Sequence, residues 1–176
     1  MERRSPANTP ISIDLAKRMR LKSITRLSLC LLLCLGVGVL EGLVTRPEIP
    51  TWYASLAKPS WTPPPLAFPI AWTLLYSLMA VSFWRLWDLE ERSPARNRAM
   101  TWFLIQLALN ALWSPVFFGW HGARTALAII VALLIAIAAT VATASRVDRL
   151  AAWLLAPYML WVAYATTINL GVVALN

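Results

Sequence analysis

Three tryptophans, a tyrosine and an asparagine sit where tryptophan and asparagine are hardest to explain, well inside apolar stretches. Trp72 and Tyr76 lie four residues apart, Asn110 and Trp113 three apart, and Trp161 stands one turn before Ala165 with Asn169 a turn further on. At helical spacing each set shares one face. A carboxamide in hydrocarbon has to face a partner or a cavity. Indoles, a phenol and an amide converging between helices make an apolar pocket with a few polar fixing points, suited to a flat, aromatic, largely apolar ligand held by stacking and one or two hydrogen bonds. The same residues can equally serve as helix-packing aromatics with Asn110 as interhelical glue, and spacing alone does not choose between the two.

Other chemistries find few residues to work with. No paired carboxylates fall inside the apolar stretches, His121 is the only histidine, and the six glycines form no phosphate-cradling loop. Cys30 and Cys34 share one face of an apolar run with no metal-ligand pattern around them, so they are packing or lipid-facing thiols and no metal site is expected. The net charge of +8 would point to nucleic acid in a soluble protein, but the chain shows no basic recognition helix or RNA-reading motif. No repeated halves with matching broken helices support a secondary transporter.

The elements that position these residues follow from composition. Hydrophobic residues make up 59% and charged residues 14%, the latter against about a quarter in soluble domains; mean hydropathy is +0.62. Such a chain uses lipid as its solvent. The expected class is an all-α integral membrane bundle of five helices, over Ile24–Val44, Ala67–Trp87, Met100–Trp120, Ala123–Ser145 and Leu150–Leu175, the last interrupted by Pro157. Trp52, Trp61, Trp87, Trp102, Trp120 and Trp153 fall near predicted ends, where indoles anchor at the headgroups. Gly38 and Gly42 form a small-xxx-small pair, and Ala128, Ala132, Ala136 and Thr140 a smooth stripe, each open to helix or dimer packing. Glu41, within a turn of its helix end, is expected to reach the interface.

Residues 1–26 read as a flexible basic tail with some attraction for anionic lipid heads, the alternative being a transit peptide. Residues 27–176 form the membrane domain. Its first loop, 45–66, is broken by Pro59, Pro63, Pro64 and Pro65, none of which continues a helix. With the N-terminus inside, the inner side collects Arg3, Arg4, Lys17, Arg18, Arg20, Lys22, Arg26, Arg85, Arg92, Arg96, Arg98, Arg146 and Arg149. The outer side keeps Arg46, Lys58 and Arg124. The positive-inside rule then puts the N-terminus in the cytoplasm and the proline-rich loop outside a bacterial inner membrane.

Three segments in order carry a resemblance: WYASLAKPSWTPPPLAFPIAWTLLYSLMAVSFWRLW (Trp52 to Trp87), QLALNALWSPVFFG (Gln106 to Gly119) and PYMLWVAYATTINL (Pro157 to Leu170). Together they strongly resemble the TspO/MBR family, the tryptophan-rich sensory proteins related to the mitochondrial translocator protein. The resemblance implies a five-helix bundle, commonly a homodimer, that needs no cofactor and binds protoporphyrin IX, haem-like tetrapyrroles and synthetic benzodiazepine- or isoquinoline-type ligands. It implies a pocket at Trp72, Asn110, Trp113, Trp161 and Ala165, with Trp72 and Asn110 hydrogen-bonding the ligand and Trp161 stacking on it. The first loop, with Trp52, Tyr53, Lys58, Pro59, Trp61, Pro63 and Pro64, would form the lid. Some relatives degrade bound porphyrin in light, which would make Trp72 and Trp161 the photo-active residues and the chain an enzyme of that kind. A role in tetrapyrrole transport, and an outer membrane location, are further implications. No basic residue follows Tyr158 or Tyr164, so the Tyr-to-Lys/Arg pattern proposed for sterols is missing.

Overall fold

The computed structural model of the protein describes the backbone of residues 10–176 and the side chains of residues 14–176. The chain runs as α1 (Pro10–Glu48), a short α2 (Trp52–Ser55), α3 (Ala67–Asp88), α4 (Pro94–Ser114) with a π-helical turn over Pro115–Gly119, α5 (Ala123–Ala144), α6 (Arg149–Leu154) and α7 (Ala156–Leu175). Five helical segments are long and apolar enough to cross a membrane, with α6 and α7 together making the fifth. The protein is an all-α, five-helix membrane bundle.

Local chemistry sets the boundaries. Ser93 caps α4 by accepting from the Arg96 amide, with Pro94 in the first turn where its missing N–H goes unused. Asp148 caps α6 through the amides of Leu150 and Ala151 at 2.9 and 3.1 Å. Pro115 has no amide to continue the α-helical ladder, so the helix widens: the Trp120 amide donates to the Pro115 carbonyl at 2.9 Å, a five-residue step. Pro157 lies in the first turn of α7, which separates it from α6.

Three expectations change. α1 is 39 residues long, about 58 Å at 1.5 Å per residue, so the basic segment from Pro10 to Arg26 is a helical extension of the first span and not a separate tail. Arg3 and Arg4 lie outside the described residues. At its other end α1 continues through Glu48, which shortens the first loop. In α5 the alanine stripe does not stay inside: Ala128 and Ala132 are exposed while Ala136 and Thr140 are buried. Steps of four residues drift around a 3.6-residue helix, and the buried face instead follows Ala126, Ile130, Leu133, Ile137, Thr140 and Ala144.

The main core lies between α1, α3, α4, α5 and α7, with Cys30 and Cys34 packed among Tyr76, Met79, Phe83, Phe103 and Tyr158. Phe83 and Phe103 stack at 4.4 Å. At the end of the bundle where α3 stops, Asp88 ties α1 down: it accepts from Arg26 at 2.9 Å and from Ser23 at 2.6 Å, and the Trp84 indole donates to the Ser23 carbonyl at 3.1 Å. Arg85 pairs with Asp148 at 2.9 Å beside it. Because the Arg26–Asp88 pair is about 30% exposed on each side, Asp88→Asn is expected to lower stability by only about 1 kcal/mol. Thermal unfolding in detergent checks this, and the loss should shrink in high salt.

Candidate functional site

Four helices deliver side chains to one place. α3 brings Trp72 and Tyr76, α4 brings Gln106 and Asn110, α7 brings Tyr158, Trp161 and Ala165, and α1 brings Gly38 and Glu41. Trp72 stacks on Tyr76 with ring centroids 5.4 Å apart and meets Tyr158 edge-on at 6.3 Å. Tyr76, Asn110 and Tyr158 are 2%, 3% and 0% exposed. Gly38 lets the helices close: a Cβ there would stand 2.7 Å from the edge of the Tyr76 ring. This glycine is therefore used inside the protomer, while Gly36 and Gly42 face open space.

Polar groups thread the aromatics. The Tyr76 hydroxyl lies 2.7 Å from Glu41 Oε2 and 3.1 Å from Asn110 Oδ1, and Asn110 Nδ2 donates to the Tyr158 hydroxyl at 2.6 Å. Glu41 thus does not simply reach the interface; its carboxyl turns inward to α3. Among the described residues, the buried side-chain polar atoms without a partner are Glu41 Oε1 on α1, both amide atoms of Gln106 on α4, and Trp161 Nε1 on α7. Gln106 sits one turn from Asn110 on the same helix and is 1% exposed. Buried polar atoms are nearly always paired, and each of these lies on a helix that also contributes to the aromatic cluster.

The residues picked out from the sequence divide into two groups. Trp72, Tyr76 and Asn110 meet directly. Trp161 and Ala165 pack on the same core cluster; Trp161 is half-buried against Phe68 and Tyr164, each at 6.0 Å. Trp113 packs on this cluster too, and also on a second one around Phe117. It stacks on Phe117 at 5.0 Å, and its indole donates to Asn169 Oδ1 at 3.2 Å, while Asn169 Nδ2 donates to the Ala123 carbonyl at 2.9 Å. Asn169 therefore serves Trp113 and not the Trp161 stripe, because the four-residue steps rotate it toward α5. Glu41, Gln106 and Tyr158 were missed; the signal for each was a polar group inside a predicted span.

The lid residues also separate. Trp52 and Tyr53 form α2 and pack on Phe117, Phe118 and His121 at the far end of the bundle; Trp52 stacks on His121 at 4.3 Å, and His121 Nε2 lies 3.1 Å from Glu48 Oε2. Lys58 turns back, donating to the Tyr53 and Leu56 carbonyls at 2.7 and 2.9 Å, its ammonium 4.7 Å above the Tyr53 ring. Burial pushes the Tyr53 phenol above its ordinary pKa. Pro59 is buried on Gly171, where a Cβ would come within 2.8 Å of the proline ring. Exposed Trp61 accepts through its carbonyl from the Tyr164 hydroxyl at 2.5 Å, so the Pro59–Trp61 segment reaches the α7 turn that carries Trp161. Pro63 and Pro64 lead back to α3, with the Ala67 amide donating to the Pro64 carbonyl at 2.9 Å. A cleft of about 390 Å³ opens under α2 beside His121, Arg124 and Asn176. It is separate from the Trp72–Tyr158 cluster, none of whose residues line it.

The family comparison covers this whole arrangement. The model of the TspO/MBR family matches residues 30–175, from the middle of α1 to the end of α7. The chain is 37% identical over 150 residues to a tryptophan-rich sensory protein of Cereibacter sphaeroides, covering 85% of this chain and 91% of that one. To protein CrtK of Rhodobacter capsulatus it is 34% identical over 154 residues, covering 88% and 94%. To the human translocator protein it is 39% identical over 121 residues, covering 67% and 70%. With five spanning helices and a match over nearly the whole bundle, the chain is an integral membrane protein and belongs to the TspO/MBR family.

Proposed function

We propose that the chain binds a flat tetrapyrrole of the protoporphyrin IX or haem type between α3, α4 and α7, and acts in the sensing, regulation or movement of such pigments. The observation that carries this is the meeting of Trp72, Tyr76, Asn110 and Tyr158 from three helices, with the buried indole N–H of Trp161 one turn beyond Tyr158. A planar macrocycle offers an apolar face to Trp72 and Trp161 and acceptors to the indole and amide donors. Binding engages Trp72 and Trp161, both half-buried, beside the Pro59–Trp61 segment that Tyr164 holds to α7. The relatives' names, tryptophan-rich sensory protein and translocator protein, agree with a binding role.

The basic ends of α1, α3 and α4 gather with the Arg26–Asp88 and Arg85–Asp148 pairs at one end of the bundle. The positive-inside rule makes this the cytoplasmic end and puts the lid outside an inner membrane.

Trp161→Phe tests the reading. It keeps a ring and removes the free indole donor, so affinity for protoporphyrin IX should fall about three- to tenfold, the value of one hydrogen bond. Tryptophan-fluorescence quenching in detergent or nanodiscs measures it, and unchanged affinity would tell against the slot. Repeating the titration under illumination separates binding from degradation: a defined new pigment product, faster than bleaching of the free porphyrin, marks light-driven turnover.

A further inference from the structure

Glu41 is an acid that the binding reading does not use. It lies seven residues before the end of α1, about 10 Å along the helix, and so within the span. Its Oε2 touches the Tyr76 hydroxyl at 2.7 Å, and its Oε1 is buried with no partner. From there the chain passes through α3, α4 and α7: Tyr76, then Asn110 Oδ1 at 3.1 Å, then Asn110 Nδ2 to Tyr158 at 2.6 Å. The titratable groups that face Glu41 are Tyr76 from α3 and Tyr158 from α7, and Cys34 on α1 faces these two tyrosines.

Counting protons along this chain gives two arrangements. Tyr76 has one O–H proton and two acceptors within reach. With Glu41 ionised, that proton goes to the carboxylate, and Asn110 Oδ1 loses its donor. With Glu41 protonated, Glu41 donates to the Tyr76 oxygen, Tyr76 donates to Asn110 Oδ1, and Asn110 Nδ2 is held pointing to Tyr158 as a donor. The second arrangement satisfies Asn110 at both ends and fixes its donor toward the slot. An anionic group entering the slot favours it twice. It wants a donor from Asn110, and it repels a carboxylate two hydrogen bonds away in a low-dielectric interior.

We propose that Glu41 is a proton-linked specificity residue: the proton it holds sets the direction of the Tyr76–Asn110–Tyr158 chain, and a carboxylate-bearing ligand binds in the slot with uptake of one proton at Glu41. This rests on the tetrapyrrole reading of the slot. Glu41 is a positioning residue, acting on the ligand through Tyr76 and Asn110.

The test compares protoporphyrin IX, which carries two carboxylates, with its dimethyl ester, using the full chain in nanodiscs from pH 5.5 to 8.5. In the wild type, affinity for the diacid should fall as pH rises, by up to about tenfold per unit where one proton is linked. Glu41→Gln should flatten that dependence, leaving only the part due to the ligand's own carboxyls, and the ester should show little in either protein. Infrared difference spectra should show a carboxylic-acid C=O band that changes on diacid binding in the wild type and is missing in Glu41→Gln. If Glu41→Gln does not insert, proton uptake by the wild type in weak buffer still decides: the diacid should take up about one proton more than the ester beyond its own titration. Equal pH profiles in wild type and variant, or no difference in the infrared band, overturn the proposal while leaving the slot intact. Failure of both ligands to bind the wild type overturns the slot and the proposal together.

Discussion

Asn110→Ala should abolish measurable tetrapyrrole binding while costing the folded protein only about 2 kcal/mol. The amide bridges three helices: it accepts from Tyr76 on α3 and donates to Tyr158 on α7. In water-soluble cores, orphaning one fully buried hydroxyl, here that of Tyr158, costs about 1–3 kcal/mol, while Tyr76 keeps Glu41 as its partner. Within a membrane the unfolded helices also find partners, and interhelical hydrogen bonds average about 0.6 kcal/mol with a maximum near 1.7. The lower figures govern stability here, and the lost side-chain volume brings the total to about 2 kcal/mol. Ligand binding is another matter. Removing Asn110 takes away the direct contact and also releases the rings of Tyr76 and Tyr158, against which Trp72 is stacked, so the wall loses its preorganisation along with its donor. A fall of a hundredfold or more in affinity is expected, against three- to tenfold for Trp161→Phe. Asn110→Asp keeps the shape and places a second acid in the chain, so it should bind the dimethyl ester better than the diacid. Fluorescence titration beside a thermal melt in the same detergent separates the two effects. A variant that unfolds outright yet binds normally at low temperature would contradict the account.

How much of this was legible in the residues depended on whether one helix or several had to be known. The five spans, the proline breaks and the inward placement of Trp72, Tyr76 and Asn110 follow from composition, proline chemistry and helical spacing within a single segment. Trp113 lies between two clusters because spacing gives a face but not every neighbour it meets: it packs on the Tyr76–Tyr158 cluster, while its ring stacks on Phe117 and its indole N–H goes to Asn169. Glu41 was read as interfacial from its distance to the helix end, yet α1 continues to Glu48, and Tyr76 supplies an inward partner that no local pattern could reveal. The lid was half legible. Pro59 and Trp61 do reach α7, but Trp52 and Tyr53 belong to a separate cluster at the bundle end, formed with residues more than sixty positions away.

Gly38→Ala should be strongly destabilising for a single added methyl. A Cβ there would stand 2.7 Å from both Cδ2 and Cε2 of Tyr76, a separation that carbon atoms do not hold. Relief has to come from one of two directions. The Tyr76 ring cannot rotate freely, because Trp72 stacks on its face and its hydroxyl is held by Glu41 and Asn110. The alternative is for α1 to move off α3, against the Asp88 contacts to Arg26 and Ser23 at the far end of the same helix pair. Overpacking of this kind costs about 1–3 kcal/mol, and the upper part of that range applies where the obstructing atom is a fixed ring. Gly42→Ala, one turn further along and facing open space, is the control: it should be neutral or slightly stabilising, since alanine favours the helix by up to about 1 kcal/mol over glycine. Melting temperatures in detergent compare the pair, and Gly38→Ala should cost less in a Tyr76→Ala background than in the wild type, because the ring that the new methyl strikes is gone. Equal melts for Gly38→Ala and Gly42→Ala would mean that α1 and α3 do not pack through Tyr76 in the membrane, and the hydrogen-bonded chain from Glu41 to Tyr158 would lose its first link.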